Sequence, residues 1–282
     1  MIVEAVLPLR ATGGYSYLDT QRAEILLQSL DKFWAGARKL VIWIVVADDA
    51  AEMATTLPNY QRIVPRVVRE RDLIGELADF PDAPGWYKQQ LIKLAAHSVV
   101  STPFYLVLDA DLICAQPFSE ESLVVDGKAL TDWEWKSTHE EWWQGSAKFL
   151  QYKGPLKGFG MSVTPEVLCG QICKQLLAHV GELYNEHWCS ALMRIQIWTE
   201  FTLYCLYATQ NQFMQQYHHS RPWMIRHGKA LRSRHNVWFA KDFGKWTPSR
   251  AFAAEGRGIF MVCQSNTEID PKRIREKLRD FL

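Results

Sequence analysis

The sequence predicts an α/β fold: a single Rossmann-like domain whose mostly parallel central sheet is flanked by helices, with a C-terminal extension. Three observations carry this. Leu40–Val46 (LVIWIVV) is apolar on both faces, as in a parallel strand covered from both sides. From Ile2 to Leu108, strand-length apolar runs alternate with helix-length amphipathic segments, a rhythm that implies right-handed crossovers. No repeat, low-complexity tract or linker interrupts the 282 residues, which are enough to bury a substantial core. Residues 1–220 read as the main domain. Residues 221–282 read as a basic extension of the same compact unit.

Ile2–Leu9 is a short apolar run that suits a buried strand. A glycine-containing loop, Ala11-Thr12-Gly13-Gly14, follows. Asp19 is then placed as N-cap of a helix whose inward face carries Ala23, Leu26, Leu27, Leu30, Phe33 and Trp34. The Leu40–Val46 strand leads into Asp48-Asp49, and Ile63–Val68 reads as a third, more exposed strand. Pro81, Pro84 and Gly85 punctuate the chain before a helix with Tyr87, Leu91, Leu94, Ala95 and Ser98 on its inward stripe. Thr102-Pro103 stops that helix, and Phe104–Leu108 runs straight into Asp109-Ala110-Asp111. Asp132–Phe149 shows no clean period and reads as a functional loop or short irregular insertion. Phe159–Val163 looks like a strand. Thr164-Pro165 looks like the cap and first position of a helix burying Cys169, Ile172, Cys173, Leu176, Leu177 and Val180. A further helix starts at Thr199-Glu200, Arg221–Arg250 is basic and loop-like, and a short charged helix begins at Asp270.

Composition excludes several classes. A net charge of +1 lacks the Lys/Arg excess of a general nucleic-acid binder. No segment approaches the roughly 20 apolar residues of a spanning helix, and Met1-Ile2-Val3-Glu4 has no signal-peptide character. The expected location is cytoplasmic, with at most peripheral membrane contact. The six cysteines sit in apolar segments without a Cys-x-x-Cys pair, so reduced core cysteines are expected rather than a zinc site. Twelve tryptophans suit carbohydrate faces and membrane interfaces as well as plain core filling.

An Asp-x-Asp triplet alone says little. Here an apolar strand delivers Asp109 and Asp111 at its carboxyl end, where open α/β sheets bind ligands. Residues two apart in extended chain point the same way, so both carboxylates can face one hard divalent cation that also meets phosphate oxygens. Without an ion, two adjacent buried like charges are costly. A helix-capping or turn pair is the plain alternative.

Phe104–Asp111 (FYLVLDAD) resembles the metal-binding motif of glycosyltransferases of the GT-A fold. Together with Gly85–Leu94 (GWYKQQLIKL), it resembles the DUF6492 family of bacterial glycosyltransferase-like proteins, and Trp198–Tyr204 (WTEFTLY) is similar to a second segment of that family. The resemblance implies a GT-A domain, a nucleoside diphosphate sugar donor (a uridine nucleotide is the fold-wide guess), a glycan or glycolipid acceptor, and Mn2+ or Mg2+ held by Asp109 and Asp111. It places Arg10 or its neighbours, and Asp48 or Asp49, against the nucleoside; these residue types also occur as solvated loop charges. Gln89 and Lys93, one helical turn apart, could face the donor or form a solvated helix flank. For an inverting reaction, Glu200 is the candidate base that removes the acceptor hydroxyl proton, though a first-turn glutamate also complements a helix dipole. His227 resembles a C-terminal metal ligand, with His235 as competitor, and Arg226 and Lys229 would neutralise the leaving diphosphate. Trp133, Trp135, Trp142 and Trp143 would stack on an acceptor sugar or close over the donor, or simply anchor a long loop.

Two other readings stay open. A sugar nucleotidylyltransferase shares the sheet and the metal chemistry, yet Leu9–Gly14 offers neither a Gly-x-Gly nor a phosphate-loop lysine. A non-catalytic nucleotide-sugar-binding relative would keep the fold without turnover. A serine hydrolase is disfavoured by the lack of a Gly-x-Ser-x-Gly elbow.

Overall fold

A computed structural model describes residues 4–10, 19–48, 50, 57–253 and 258–282. Asp49 and the Ala11–Gly14 loop lie outside the described residues. Along the chain come β1 (Glu4–Leu9), α1 (Asp19–Phe33), β2 (Leu40–Val46), β3 (Ile63–Arg69), α2 (Glu70–Leu73), α3 (Gly85–Ala95) and β4 (Phe104–Val107). Next are β5 (Leu112–Cys114), α4 (Glu120–Leu123), β6 (Val124–Val125), β7 (Lys128–Ala129), β8 (Glu134–Trp135), α5 (Glu140–Phe149), β9 (Phe159–Gly160) and β10 (Glu166–Cys169). Then follow α6 (Gly170–Tyr184), α7 (Trp188–Arg194), α8 (Glu200–Gln210), α9 (Phe213–Tyr217), α10 (Arg221–Arg226), α11 (Ser249–Phe252), β11 (Phe260–Val262) and α12 (Pro271–Leu278).

The main sheet has the order β10-β4-β1-β2-β3. Four strands are parallel, and β10 adds antiparallel to β4 through Glu166↔Val107 and Cys169↔Phe104. Every residue of β1 is buried, which demands cover on both faces. α3 and α1 each pack on β1, with α6 against α3 and α12 against α1. The amide of Leu108 donates to the Val6 carbonyl, so pairing holds up to the residue before Asp109. Both aspartates thus leave the sheet from a fixed base.

Four local expectations give way to tertiary structure. Asp132–Phe149 is not an irregular loop: it contains β8 and the helix α5, which buries Trp143, Ser146, Ala147 and Phe149. Small residues on this face admit a close neighbour; a Cβ on Gly145 would lie 1.7 Å from the Ile197 carbonyl oxygen. Thr164-Pro165 does not begin a helix. It leads into β10, because Glu166–Cys169 completes the open edge of β4, and the helix starts only at Gly170. Strand Phe159–Val163 shrinks to β9, and the stretch 221–250 contains α10 and the start of α11 as well as loop.

The C-terminal part has a hydrophobic cluster of its own, in which Val237, Phe243, Met261 and Ile274 pack on Ile25 of α1 and Ile113 of β5. β11 pairs antiparallel with β5. Buried Arg22 of α1 donates from Nη1 to the Cys263 carbonyl and from Nη2 to the Ile269 carbonyl, both at 2.8 Å. Among the described residues, no helix is long and apolar enough to cross a membrane.

Candidate active site

The carboxyl ends of β1, β2 and β4 open into a cleft of about 1150 Å³. That exceeds the volume range of an ordinary single-ligand pocket and leaves room for two substrates. Asp109 and Asp111 line it, as do Arg10, Gln89, Lys93, Trp142 and Glu200.

The chain around Asp109 fixes its side chain on both oxygens. Thr164, in the segment leading to β10, donates from Oγ1 to Asp109 Oδ2 at 2.6 Å. Lys93 of α3 brings Nζ to 2.9 Å from Asp109 Oδ1 and 2.9 Å from Glu200 Oε1. Lys93 is therefore not a solvated helix flank. It is 3% exposed and sits as counter-ion between two carboxylates. Burial alone would lower its pKa, but Asp109 and Glu200 outweigh that and raise it, so it stays an ammonium. Glu200 opens α8, and its backbone amide donates to Gln90 Oε1 at 3.1 Å. Thr199 occupies the N-cap position without capping through its side chain; its hydroxyl meets that of Thr202 at 2.7 Å. Burial raises the Glu200 pKa, and Lys93 opposes the shift.

Asp111 is completed from the far end of the chain. The Ser265 amide donates to its Oδ2 at 2.8 Å, and the Cys263 amide donates to its carbonyl at 2.9 Å. Burial first, then the Asp109 charge, pushes the Asp111 carboxyl up to about 6, against the pull of Ser265 and Arg22. Asp19, at the start of α1, also lines the cleft and is raised chiefly by burial.

These groups fit a hard divalent cation. Asp109 and Glu200 bring two carboxylates against one ammonium, and Asp111 is held in a place where burial and Asp109 penalise its own charge. Among the described residues no three His, Cys, Asp or Glu side chains come together as a complete ligand set. A cation here would take its remaining ligands from phosphate oxygens and water, the habit of Mg2+ at phosphate sites. A carboxylate oxygen offers more than one lone pair, so the bonds from Thr164, Lys93 and Ser265 leave acceptor capacity.

Other expected residues are placed elsewhere. Arg226, His227 and Lys229 do not line the cleft. The ring of His227 stacks on Trp223 at 4.2 Å and Trp223 stacks on His219 at 3.5 Å, so these rings pack on one another. His235 does not line the cleft either; its carbonyl accepts from Trp246. The residues that stand beside Asp111 from the C-terminal part are Gln264, Ser265 and Asn266. Asp48 lies outside the lining, with Arg71 Nε 3.2 Å from its Oδ1.

The four tryptophans separate. Trp142 lines the cleft, with the His139 ring stacked on it at 4.0 Å and 7°. Trp143 is core, 1% exposed, and Trp133 donates to the His219 carbonyl. Trp135 is exposed and stacks on Phe159. The basic stretch does reach the cleft wall through Arg232, 2.8 Å from Asp132 and 3.6 Å from Glu134; Glu134 lines the cleft. Despite Arg232, burial pushes Asp132 up to about 6. Trp86 and Phe239, 44% and 62% exposed, also line the cleft and went unmarked in the sequence.

The sequence pattern of a family described as a family of unknown function (DUF6492) matches residues 1–282. No curated protein matches the chain. Among solved structures, mouse xyloside xylosyltransferase 1 in its apo form superposes with a TM-score of 0.54 at 13% identity, covering 96% of this chain and 100% of that one. The galactosyltransferase LgtC, in complex with donor and acceptor sugar analogues, gives a TM-score of 0.51 at 9% identity, covering 99% and 96%. At such identities the likeness establishes the fold, which is that of the GT-A glycosyltransferases.

Proposed function

The chain belongs to the DUF6492 family, and from that premise we propose that it transfers a sugar from a nucleoside diphosphate donor to a hydroxyl acceptor with the help of Mn2+ or Mg2+. The observation that carries this is Asp109 and Asp111 emerging from β4 into a cleft large enough for two substrates, on a GT-A fold.

The roles follow from chemistry. Asp111, with Asp109 beside it, holds the cation, which when bound neutralises the donor diphosphate. Lys93 fixes Asp109 and supplies a permanent positive charge at its Oδ1. Arg10 and Gln89 line the donor side. Glu200 is the residue to accept the acceptor hydroxyl proton in an inverting reaction: burial has raised its proton affinity, and Lys93 is placed to stabilise it as a carboxylate. Trp142, stiffened by the His139 stack, offers a flat face to a sugar ring. A glycan or glycolipid acceptor in surface polysaccharide or lipopolysaccharide synthesis, a uridine nucleotide donor and a cytoplasmic location complete the reading.

The test is thermal shift against a nucleotide panel with and without Mn2+, on wild type and Asp111→Asn. A ligand present at a hundred times its Kd stabilises by about 2.7 kcal/mol. The expected result is a shift that needs nucleotide and metal together and vanishes in the variant. Asp111→Asn will not be a folding casualty: with the folded pKa raised, the charged form carries a penalty above about pH 6 that is absent below the ordinary carboxylate value of 3.8. The variant should therefore be at least as stable as wild type at pH 8. Equal nucleotide shifts in both proteins refute the metal role. Pyrophosphate release from a sugar phosphate and a nucleoside triphosphate would reassign the chain to nucleotidyl transfer.

A further inference from the structure

The basic stretch 221–231 is largely unused by the cleft, and it adjoins exposed apolar side chains. Trp135 is 57% exposed, and its ring lies 3.9 Å from that of Phe159. The Arg221 guanidinium stands over the Phe159 ring, 4.1 Å from its centroid. Ile225, one helical turn beyond Arg221 on α10, is 61% exposed. Segments 151–160 and 220–231 contribute Lys153, Lys157, Arg221, Arg226 and Lys229 and contain no acidic residue. Among the described residues none of these five cations forms an ion pair.

We propose that the strip from Trp135 across Phe159 to α10 docks on the interface of a bilayer carrying anionic headgroups. Tryptophan rings settle at the headgroup level of membranes. A cluster of cations beside the apolar anchors adds electrostatic attraction to an anionic leaflet. The aliphatic Ile225 favours a bilayer, whose acyl boundary takes up apolar side chains, over the charged phosphate backbone of a nucleic acid. The strip is tied to the cleft wall, because Trp135 directly follows Glu134, and successive strand residues face opposite sides. The proposal stands independently of sugar transfer.

The experiment is co-sedimentation of the full chain with phosphatidylcholine vesicles, with and without phosphatidylglycerol, over a salt series. Each basic side chain near an anionic surface multiplies binding by about fivefold. Arg226→Ala/Lys229→Ala is thus expected to bind about 25-fold more weakly. Ile225→Ser should lose about five- to tenfold, as expected for partial burial of an isoleucine, with an unchanged melting temperature. Three results would each overturn the proposal: wild type ignoring phosphatidylglycerol, Ile225→Ser binding as wild type does, or duplex DNA binding as tightly as the vesicles and without regard to Ile225.

Discussion

Replacing Lys93 by methionine removes the ammonium that Asp109 and Glu200 share while keeping most of the side-chain volume. At 2.9 Å, each contact is worth about 6 kcal/mol of gross Coulomb attraction at an effective dielectric of about 20. Most of that offsets the cost of burying the charges. The expected net loss is about 3–5 kcal/mol, the usual effect of stranding a buried partner, or about 10 °C in melting temperature for a chain of this size. The loss depends on pH. Burial already raises Glu200 in the presence of Lys93, and without the ammonium it rises further. An acid with a raised folded pKa is penalised above that pKa and unpenalised below its unfolded value, near the ordinary glutamate value of 4.5. The deficit of Lys93→Met should therefore be larger at pH 8 than at pH 5. Adding Glu200→Gln should return part of it, since one stranded charge is gone. Urea unfolding of the four proteins at both pH values measures the cycle. A single variant within about 1 kcal/mol of wild type at pH 8, or a double variant no more stable than the single, would refute the reasoning.

Glu200→Gln alone should bind donor nucleotide nearly as wild type while losing transfer; full turnover would remove it as the base. Arg22→Met deprives the Cys263 and Ile269 carbonyls of charged donors and should cost about 2–4 kcal/mol. In the same variant the Ser265 amide should exchange hydrogen faster, and unchanged protection would show that Asp111 does not depend on this anchor. Gly145→Ala forces a methyl against the Ile197 carbonyl oxygen, where the added Cβ would sit at 1.7 Å. A loss of about 3 kcal/mol or more is expected, seen as a lower urea midpoint; a neutral result would mean that α5 can slide from the chain leading into α8.

The parallel sheet was legible because β2 and β4 are apolar on both faces and local pattern agreed with tertiary need. Asp109 and Asp111 were legible for the same reason: their positions follow from the end of a readable strand. Local signals failed where distant partners decided. Thr164-Pro165 has the chemistry of a helix start, but the open edge of β4 claimed the next four residues as a strand. In α5, Gly145 and Ser146 occupy the inward face because neighbouring chain approaches closely, and such small residues hide a hydrophobic period. The role of Lys93 depends on partners 16 and 107 residues away, and that of Ser265 on one 154 residues away. Neither carries a motif. The C-terminal residues that line the cleft beside Asp111 are the uncharged Gln264, Ser265 and Asn266, not the expected histidine and cations, and His227 stacks instead on Trp223 of its own helix.

Arg22 has a consequence for synthesis. It belongs to α1, yet the carbonyls it grips belong to Cys263 and Ile269, 241 and 247 residues further along. During translation its guanidinium waits, and Asp111 waits with it, until the chain has been made past Ile269. A nascent chain stalled short of Cys263 would already display the paired acids but lack the amide that steadies the second one. Support for Asp111 therefore arrives only with the segment around Cys263–Ile269, and α1 is the element that registers its arrival.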